Sequence, residues 1–176
     1  MTLLARVVRK LNDAAIPSAL IGGLALAVHG IGRATQDADL LAVDPDTLRD
    51  GFWEDLRREG VIVVVRRGDM EDPLRGLVRI RESAEIVDVV VGKSPLHRDV
   101  LRRRSIFPLL DAPLPVVDAA DLVLLKLDAG GPQDLLDARL LLRGPEGEGI
   151  RRTLATRLEG LPASLREALE AIPKNP

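Results

Sequence analysis

Cysteine is absent from the 176 residues, which excludes disulfides and Cys-held zinc or iron–sulfur sites. Histidine occurs only as His29 and His97, too few for a His-rich metal site. Aromatics make up 2%, with two Phe, one Trp and no Tyr. The core must therefore be built from Leu, Val, Ile and Ala, and single-strand binding on aromatic platforms is disfavoured. No apolar run reaches the ~18 residues of a membrane-spanning helix. Met1 to Asn12 alternates apolar and basic residues at helical spacing and lacks the apolar run of a signal peptide. The chain is accordingly expected in the cytoplasm, with no membrane partner. A formal net charge of −2 excludes a globally basic nucleic-acid binder but not a local basic patch. Hydrophobic residues at 46% and charged residues at 30% give an ordinary globular balance.

Leu3, Leu4, Val7, Val8 and Leu11 share one helical face, with Arg6, Arg9 and Lys10 opposite and Thr2 as cap. Pro17 breaks that pattern. Ser18 to Ile21 reads as a short buried strand, and Leu24 to Val28, after Gly22 and Gly23, as a short helix. Asp37 to Val43 is the next strand. Asp44 and Pro45 open a helix with Leu48, Phe52 and Leu56 inward, stopped by Gly60. Val61 to Val65, Leu77 to Ile80 and Ile86 to Val91 are further strands. Ser94 and Pro95 begin a helix ending in Arg102, Arg103 and Arg104, and Ser105 to Val117, with three prolines, is extended. Asp118 caps a helix to Ala129, Gly130-Gly131-Pro132 breaks it, and Gln133 to Leu142 is helical again. RGPEGEG, Arg143 to Gly149, is the best linker, followed by helices near Ile150 to Leu158 and Ala163 to Ile172. The order predicts an α+β fold: a mixed β-sheet flanked by helices, with a helical C-terminal part. The expected division is a core over 1–143 and, over 144–176, a linker and C-terminal helices packed on it.

Three carboxylates stand out. Asp37 and Asp39 are two apart at the start of a strand, so both point to one face. Asp88 lies inside Ile86-Val87-Asp88-Val89-Val90-Val91, where an ionised group is costly unless paired or bound to a cation. Converging carboxylates repel one another, and Mg²⁺ or Mn²⁺, which prefer hard oxygen ligands, relieve that repulsion. Two such ions about 3.5–4 Å apart perform in-line phosphoryl chemistry. Upstream, Gly22-Gly23 lies between a strand and a helix, where a bare backbone approaches a phosphate closely. A glycine pair or a D-x-D alone is weak evidence; their combination with a third strand Asp is more specific.

Ile21 to Val43, IGGLALAVHGIGRATQDADLLAV, resembles the signature of the DNA polymerase β-like nucleotidyltransferase superfamily. It is nearest the Gly-Gly branch that holds abortive-infection toxin-like proteins and related bacterial nucleotidyltransferases. Gly22, Gly23, His29, Gly30, Arg33, Thr35, Asp37 and Asp39 fill the pattern. Ile86 to Val90 looks like the strand of the third family carboxylate, Asp88. Asp121 to Leu142, DLVLLKLDAGGPQDLLDARLLL, is similar to the later segment with a Lys before a D-x-x-D helix, matched by Lys126, Asp134 and Asp137. The resemblance implies an NTP-dependent nucleotidyltransferase. In it Asp37, Asp39 and Asp88 bind metal and catalyse with Lys126, and Gly22, Gly23, Arg33, Thr35, Lys126 and Asp134 bind the nucleotide. A role in a toxin–antitoxin or phage-defence pair is implied by it alone. The chain departs from many relatives in having Gly131 and Gln133 where a basic residue often precedes the D-x-x-D helix.

Bland readings stand beside these. Asp37, Asp39 and Asp88 fit strand-edge solvation or capping as well as metal binding. Lys126 fits a packed helix as a snorkelling side chain or reaches the NTP. Asp134 and Asp137, three apart on one helix face, either orient Lys126 or Arg33 or act directly. His29 reads as a turn residue ahead of a catalytic base, and Arg33 either binds phosphate or pairs with an acid. Arg98, Arg102, Arg103 and Arg104 suit a helix end as well as an RNA backbone. The acceptor is open among RNA such as tRNA, a partner protein and a small molecule, and oligomerisation is open too. The alternatives to an enzyme are a catalytically degenerate protein of the same fold that binds a nucleotide or partner, and a protein-interaction module using the C-terminal helices.

Overall fold

The computed structural model describes residues 1–32, 35, 37–109 and 112–172. Helix α1 (Leu3–Asp13) buries the predicted Leu3, Leu4, Val7, Val8 and Leu11, and the Thr2 hydroxyl accepts from the Ala5 N–H. Strand β1 (Ser18–Ile21) runs directly into α2 (Gly22–Val28), and β2 (Asp37–Ala42) returns antiparallel to β1. β3 (Ile62–Arg67), β4 (Leu74–Glu82) and β5 (Glu85–Gly92) form a meander whose last strand lies parallel to β2. Helix α4 (Pro95–Arg103) leads to the hairpin β6 (Ser105–Leu109) and β7 (Ala112–Val116), and β7 joins β1 in parallel. The result is one mixed seven-stranded sheet in the order β3-β4-β5-β2-β1-β7-β6. The fold is α+β, as the order of elements predicts.

The segment after β2 differs from the single helix expected over 44–60. It consists of two 3-10 turns, Pro45–Leu48 and Asp50–Trp53, and a short helix α3 (Glu54–Arg58). Gly51 in a helix interior costs about 1 kcal/mol relative to Ala. The tighter turns instead bury the Trp53 indole completely, with its N–H donating to the Thr47 carbonyl at 2.7 Å. Leu48 and Leu56 are buried as expected, but Trp53 is the side chain buried completely and Phe52 is only partly buried. This segment and α1 share one layer, tied by Arg6 to Glu59 at 2.6 Å and Lys10 to Asp55 at 2.7 Å. Val78, Ile80, Val87 and Val89 are fully or almost fully buried.

The other helices gather on α5 (Ala119–Ala129): α2, α4, α6 (Pro132–Arg143), α7 (Gly147–Ala155) and α8 (Ala163–Glu170) all contact it. One ionic knot ties three of these segments. Asp121 in α5, fully buried, receives both guanidinium nitrogens of Arg103 at 2.7 and 2.9 Å and Arg157, just beyond α7, at 2.8 Å. Arg157 also reaches the capping carboxylate of Asp118 at 2.7 Å. The basic end of α4 is therefore used internally: Arg103 pairs with Asp121, Arg102 pairs with Asp99, and Arg98 donates to the Lys93 carbonyl.

Candidate functional site

Strand registry builds the site. Ile21 pairs with Asp39, and Asp39 pairs with Asp88. The two carboxylates therefore rise side by side from the same face of neighbouring parallel strands, with Asp37 two residues before Asp39 on that face. The chain turns from β1 into α2 at the same level, and Gly22 takes φ +66°, a left-handed conformation glycine adopts freely. A Cβ on Gly22 would lie 2.0 Å from Asp39 Oδ2, and one on Gly23 would lie 2.9 Å from the Thr35 Cβ. The glycine pair thus leaves room for Asp39 and Thr35 as well as a bare backbone beside them. The Thr35 hydroxyl donates to the Asp37 carbonyl at 3.0 Å.

These carboxylates affect one another. Burial, then the neighbouring charges of Asp88 and Asp37, push the Asp39 carboxyl up to about 6, against the opposing pull of Lys126 and Arg79. Burial and like charge both disfavour ionisation here, and nearby positive charge offsets them.

Part of that charge comes from a residue the motifs do not name. Arg79 in β4 stands opposite Asp88 in β5. Its Nε–H and Nη2–H groups donate to the two Asp88 oxygens at 2.9 and 2.6 Å, and Nη2 lies 3.6 Å from Asp37 Oδ2. Asp88 is buried and Arg79 half-exposed. The signal was present in the sequence. The β4–β5 hairpin turns at Ser83-Ala84 with Glu82 opposite Glu85, and counting outward from that turn places Arg79 against Asp88.

Lys126 enters from α5. Gly130, at φ +66°, ends that helix, and the turn into α6 brings Asp134 and Asp137 back over it. The Lys126 ammonium sits 2.8 Å from Asp134 and 2.9 Å from the fully buried Asp137. Burial alone would lower its pKa, but the two carboxylates outweigh that and raise it, so the side chain stays a cation. Gln133, at the position where a basic residue is absent, donates to Asp137 at 3.0 Å. The His29 ring N–H donates to the Val117 carbonyl at 2.8 Å, which fastens the turn after α2 to the end of β7. Arg33 lies outside the described residues.

Registry thus brings Asp37, Asp39 and Asp88 to one face, beside Gly22 and within electrostatic reach of Lys126, while Asp134 and Asp137 hold Lys126. A metal fits this donor set only in part. Asp37 and Asp39 offer hard oxygens, whereas Asp88 is clamped by Arg79, which also approaches Asp37. Among the described residues no three His, Asp or Glu side chains are drawn close enough to hold an ion in this arrangement.

No protein-family model matches the sequence, and no curated protein matches it. Solved structures do match the fold. A candidate nucleotidyltransferase from Thermotoga maritima gives a TM-score of 0.54 at 12% identity, over 88% of this chain and 92% of that one. ANT(2'')-Ia in complex with adenylyl-2''-tobramycin gives 0.52 at 15% identity, over 89% and 97%. The lincosamide adenylyltransferase LnuA, lincomycin-bound, gives 0.50 at 12% identity, over 80% and 94%. The chain has the nucleotidyltransferase fold.

Proposed function

We propose that this protein is a metal-dependent nucleotidyltransferase that moves a nucleoside monophosphate from an NTP to a hydroxyl-bearing acceptor. The observation that carries the reading is the row Asp39–Asp88, with Asp37 beside it, set against the side-chain-free Gly22 on a sheet of nucleotidyltransferase fold. Asp37 and Asp39 would hold Mg²⁺ or Mn²⁺, joined by Asp88 once Arg79 releases it. An ion held there would supply charge neutralisation on the triphosphate and lower the pKa of the attacking hydroxyl. The bare backbone of Gly22 and Gly23 accepts the phosphates, with Thr35 beside Gly23; a phosphate-binding role for Arg33 rests on the sequence resemblance alone. Lys126 uses two of its three N–H donors on Asp134 and Asp137 and keeps the third for the nucleotide; Asp134 acts by fixing that ammonium. The acceptor oxygen forms a bond to the α-phosphorus as the bond to the bridging oxygen breaks. Pyrophosphate leaves, and Asp88 takes the acceptor proton. Most of the catalytic effect is positioning and charge neutralisation.

ANT(2'')-Ia and LnuA act on antibiotics, so a small-molecule acceptor is within this fold's range; RNA and protein acceptors rest on the sequence resemblance. A place in a toxin–antitoxin or phage-defence pair rests on the sequence resemblance alone. One observation favours a second reading, a binding protein without turnover: the Arg79 clamp on Asp88. Incubation with cell extract, Mg²⁺ and NTPs labelled at either the α- or the γ-phosphate separates the two. Transfer of α-label only, abolished by Asp39→Asn, is expected. Thermal stabilisation by NTP without any labelled product would establish the second reading instead.

A further inference from the structure

The row of cross-strand pairs continues past Asp88. Across the sheet, Asp39 pairs with Asp88, Asp88 with Arg79, and Arg79 with Val64. Paired residues point to the same side of a sheet, so the β3–β4 half continues the face that bears the site. Ile62, Val64 and Arg66 on β3 lie beside Arg81, Arg79 and Leu77 on β4. The opposite face of this half is packed on Leu48 and the core, but this one is bare. Ile62 is 52% and Val64 44% exposed, and Arg66, Arg79 and Arg81 are all exposed. The Arg66 and Arg81 side chains make no hydrogen bond or ion pair with any described residue.

Arg81 and Leu77 are roughly 13 Å apart along the strand at ~3.3 Å per residue, and Arg66 stands beside Leu77. Two unpaired guanidinium groups therefore flank a flat apolar strip of Ile62, Val64 and Leu77, and the strip leads to Asp88. One small anion cannot span that distance. A second copy of this chain would set arginines against arginines, and a cationic acceptor would be repelled. A strand of nucleic acid supplies what the face lacks: repeated anionic groups with flat base faces between them, which guanidinium planes accept where aromatics are missing.

We propose that the β3–β4 face is the acceptor platform and that the acceptor is the end of a single-stranded nucleic acid. Its phosphates lie on Arg66 and Arg81, and its terminal hydroxyl reaches Asp39 and Asp88. This rests on the transfer reading above and names its substrate class. The test is fluorescence anisotropy with a short labelled single-stranded RNA across a salt series, using wild type and the double variant R66E/R81E, with ATP-induced thermal stabilisation measured in parallel. Wild type is expected to bind with affinity that falls as salt rises. R66E/R81E is expected to bind at least about tenfold more weakly, with a log–log salt slope shallower by roughly 1.4, while ATP stabilisation is unchanged. Equal RNA affinity in the two proteins with ATP stabilisation intact overturns the platform, as does competition by poly-glutamate as effective as by RNA, or a dimer that I62E/V64E dissociates. Loss of ATP stabilisation in wild type itself points instead to failure of the transfer reading.

Discussion

At the residue scale, Gly22 and Asp39 make one structural unit. A methyl group on Gly22 meets Asp39 Oδ2 at 2.0 Å, in a backbone conformation that L-residues rarely adopt. Gly22→Ala is therefore expected to displace Asp39, abolish transfer and lower stability by about 1–3 kcal/mol, read from labelled-nucleotide transfer and a denaturant midpoint. Lys126→Met takes the ammonium away from Asp134 and the buried Asp137 and is expected to destabilise the fold by about 1–3 kcal/mol, measured the same way. His97 makes a pH-dependent contribution. Burial lowers its pKa, Arg98 adds to that and Asp128 opposes it. The unfolded ring binds a proton near pH ~6.5, the folded ring only at lower pH. Stability is therefore full above the unfolded value, falls as pH drops through the interval toward the folded value, and levels below it. Denaturant midpoints of wild type minus those of His97→Gln should show this difference, and a pH-independent difference would refute it. The three Asp residues were legible in the sequence because strand alternation alone puts two of them on one face. Arg79 belongs to no motif and is reached only by counting outward from the Ser83-Ala84 turn, which pairs it with Asp88.

At the scale of elements, local signals located most helices and strands. Thr2, Ser94 and Asp118 cap α1, α4 and α5 through their side chains, and the Gly130-Gly131-Pro132 break folds α6 back onto α5. The segment over 44–60 is not the single helix that its spacing predicts. Helical spacing of Leu48, Phe52 and Leu56 competes there with an indole that needs a buried hydrogen-bond acceptor, and the acceptor, the Thr47 carbonyl, becomes available only in the tighter turns. The Asp121 knot was likewise hidden, since it joins residues far apart in the chain. Asp121→Asn removes a buried anion from between Arg103 and Arg157. It is expected to destabilise the protein by about 3–5 kcal/mol, with hydrogen exchange accelerating in α7 and α8; unchanged exchange there would show that the knot does not hold them.

At the scale of the whole molecule, the α+β order was readable, but the arrangement of the sheet was not. Which strands lie at its edges, and which face stays bare beside the site, follow only from the pairing β3-β4-β5-β2-β1-β7-β6. A core over 1–143 with an appended 144–176 is a division by sequence. Ile150, Leu154, Leu165 and Ile172 are nevertheless all buried, so we propose that the C-terminal helices are required for folding. A chain ending at Arg143 is expected to bind a hydrophobic dye and lose its cooperative thermal transition, and a sharp transition in that truncated chain would contradict this.

The measurement that bears most directly on the account is a crystal structure of the protein with a non-hydrolysable ATP analogue and Mn²⁺, whose anomalous scattering marks the ion. The prediction is an Mn²⁺ peak bonded to oxygens of Asp37 and Asp39, with the triphosphate against Gly22 and Gly23. A nucleotide bound elsewhere, or an ion that avoids both carboxylates, would contradict it.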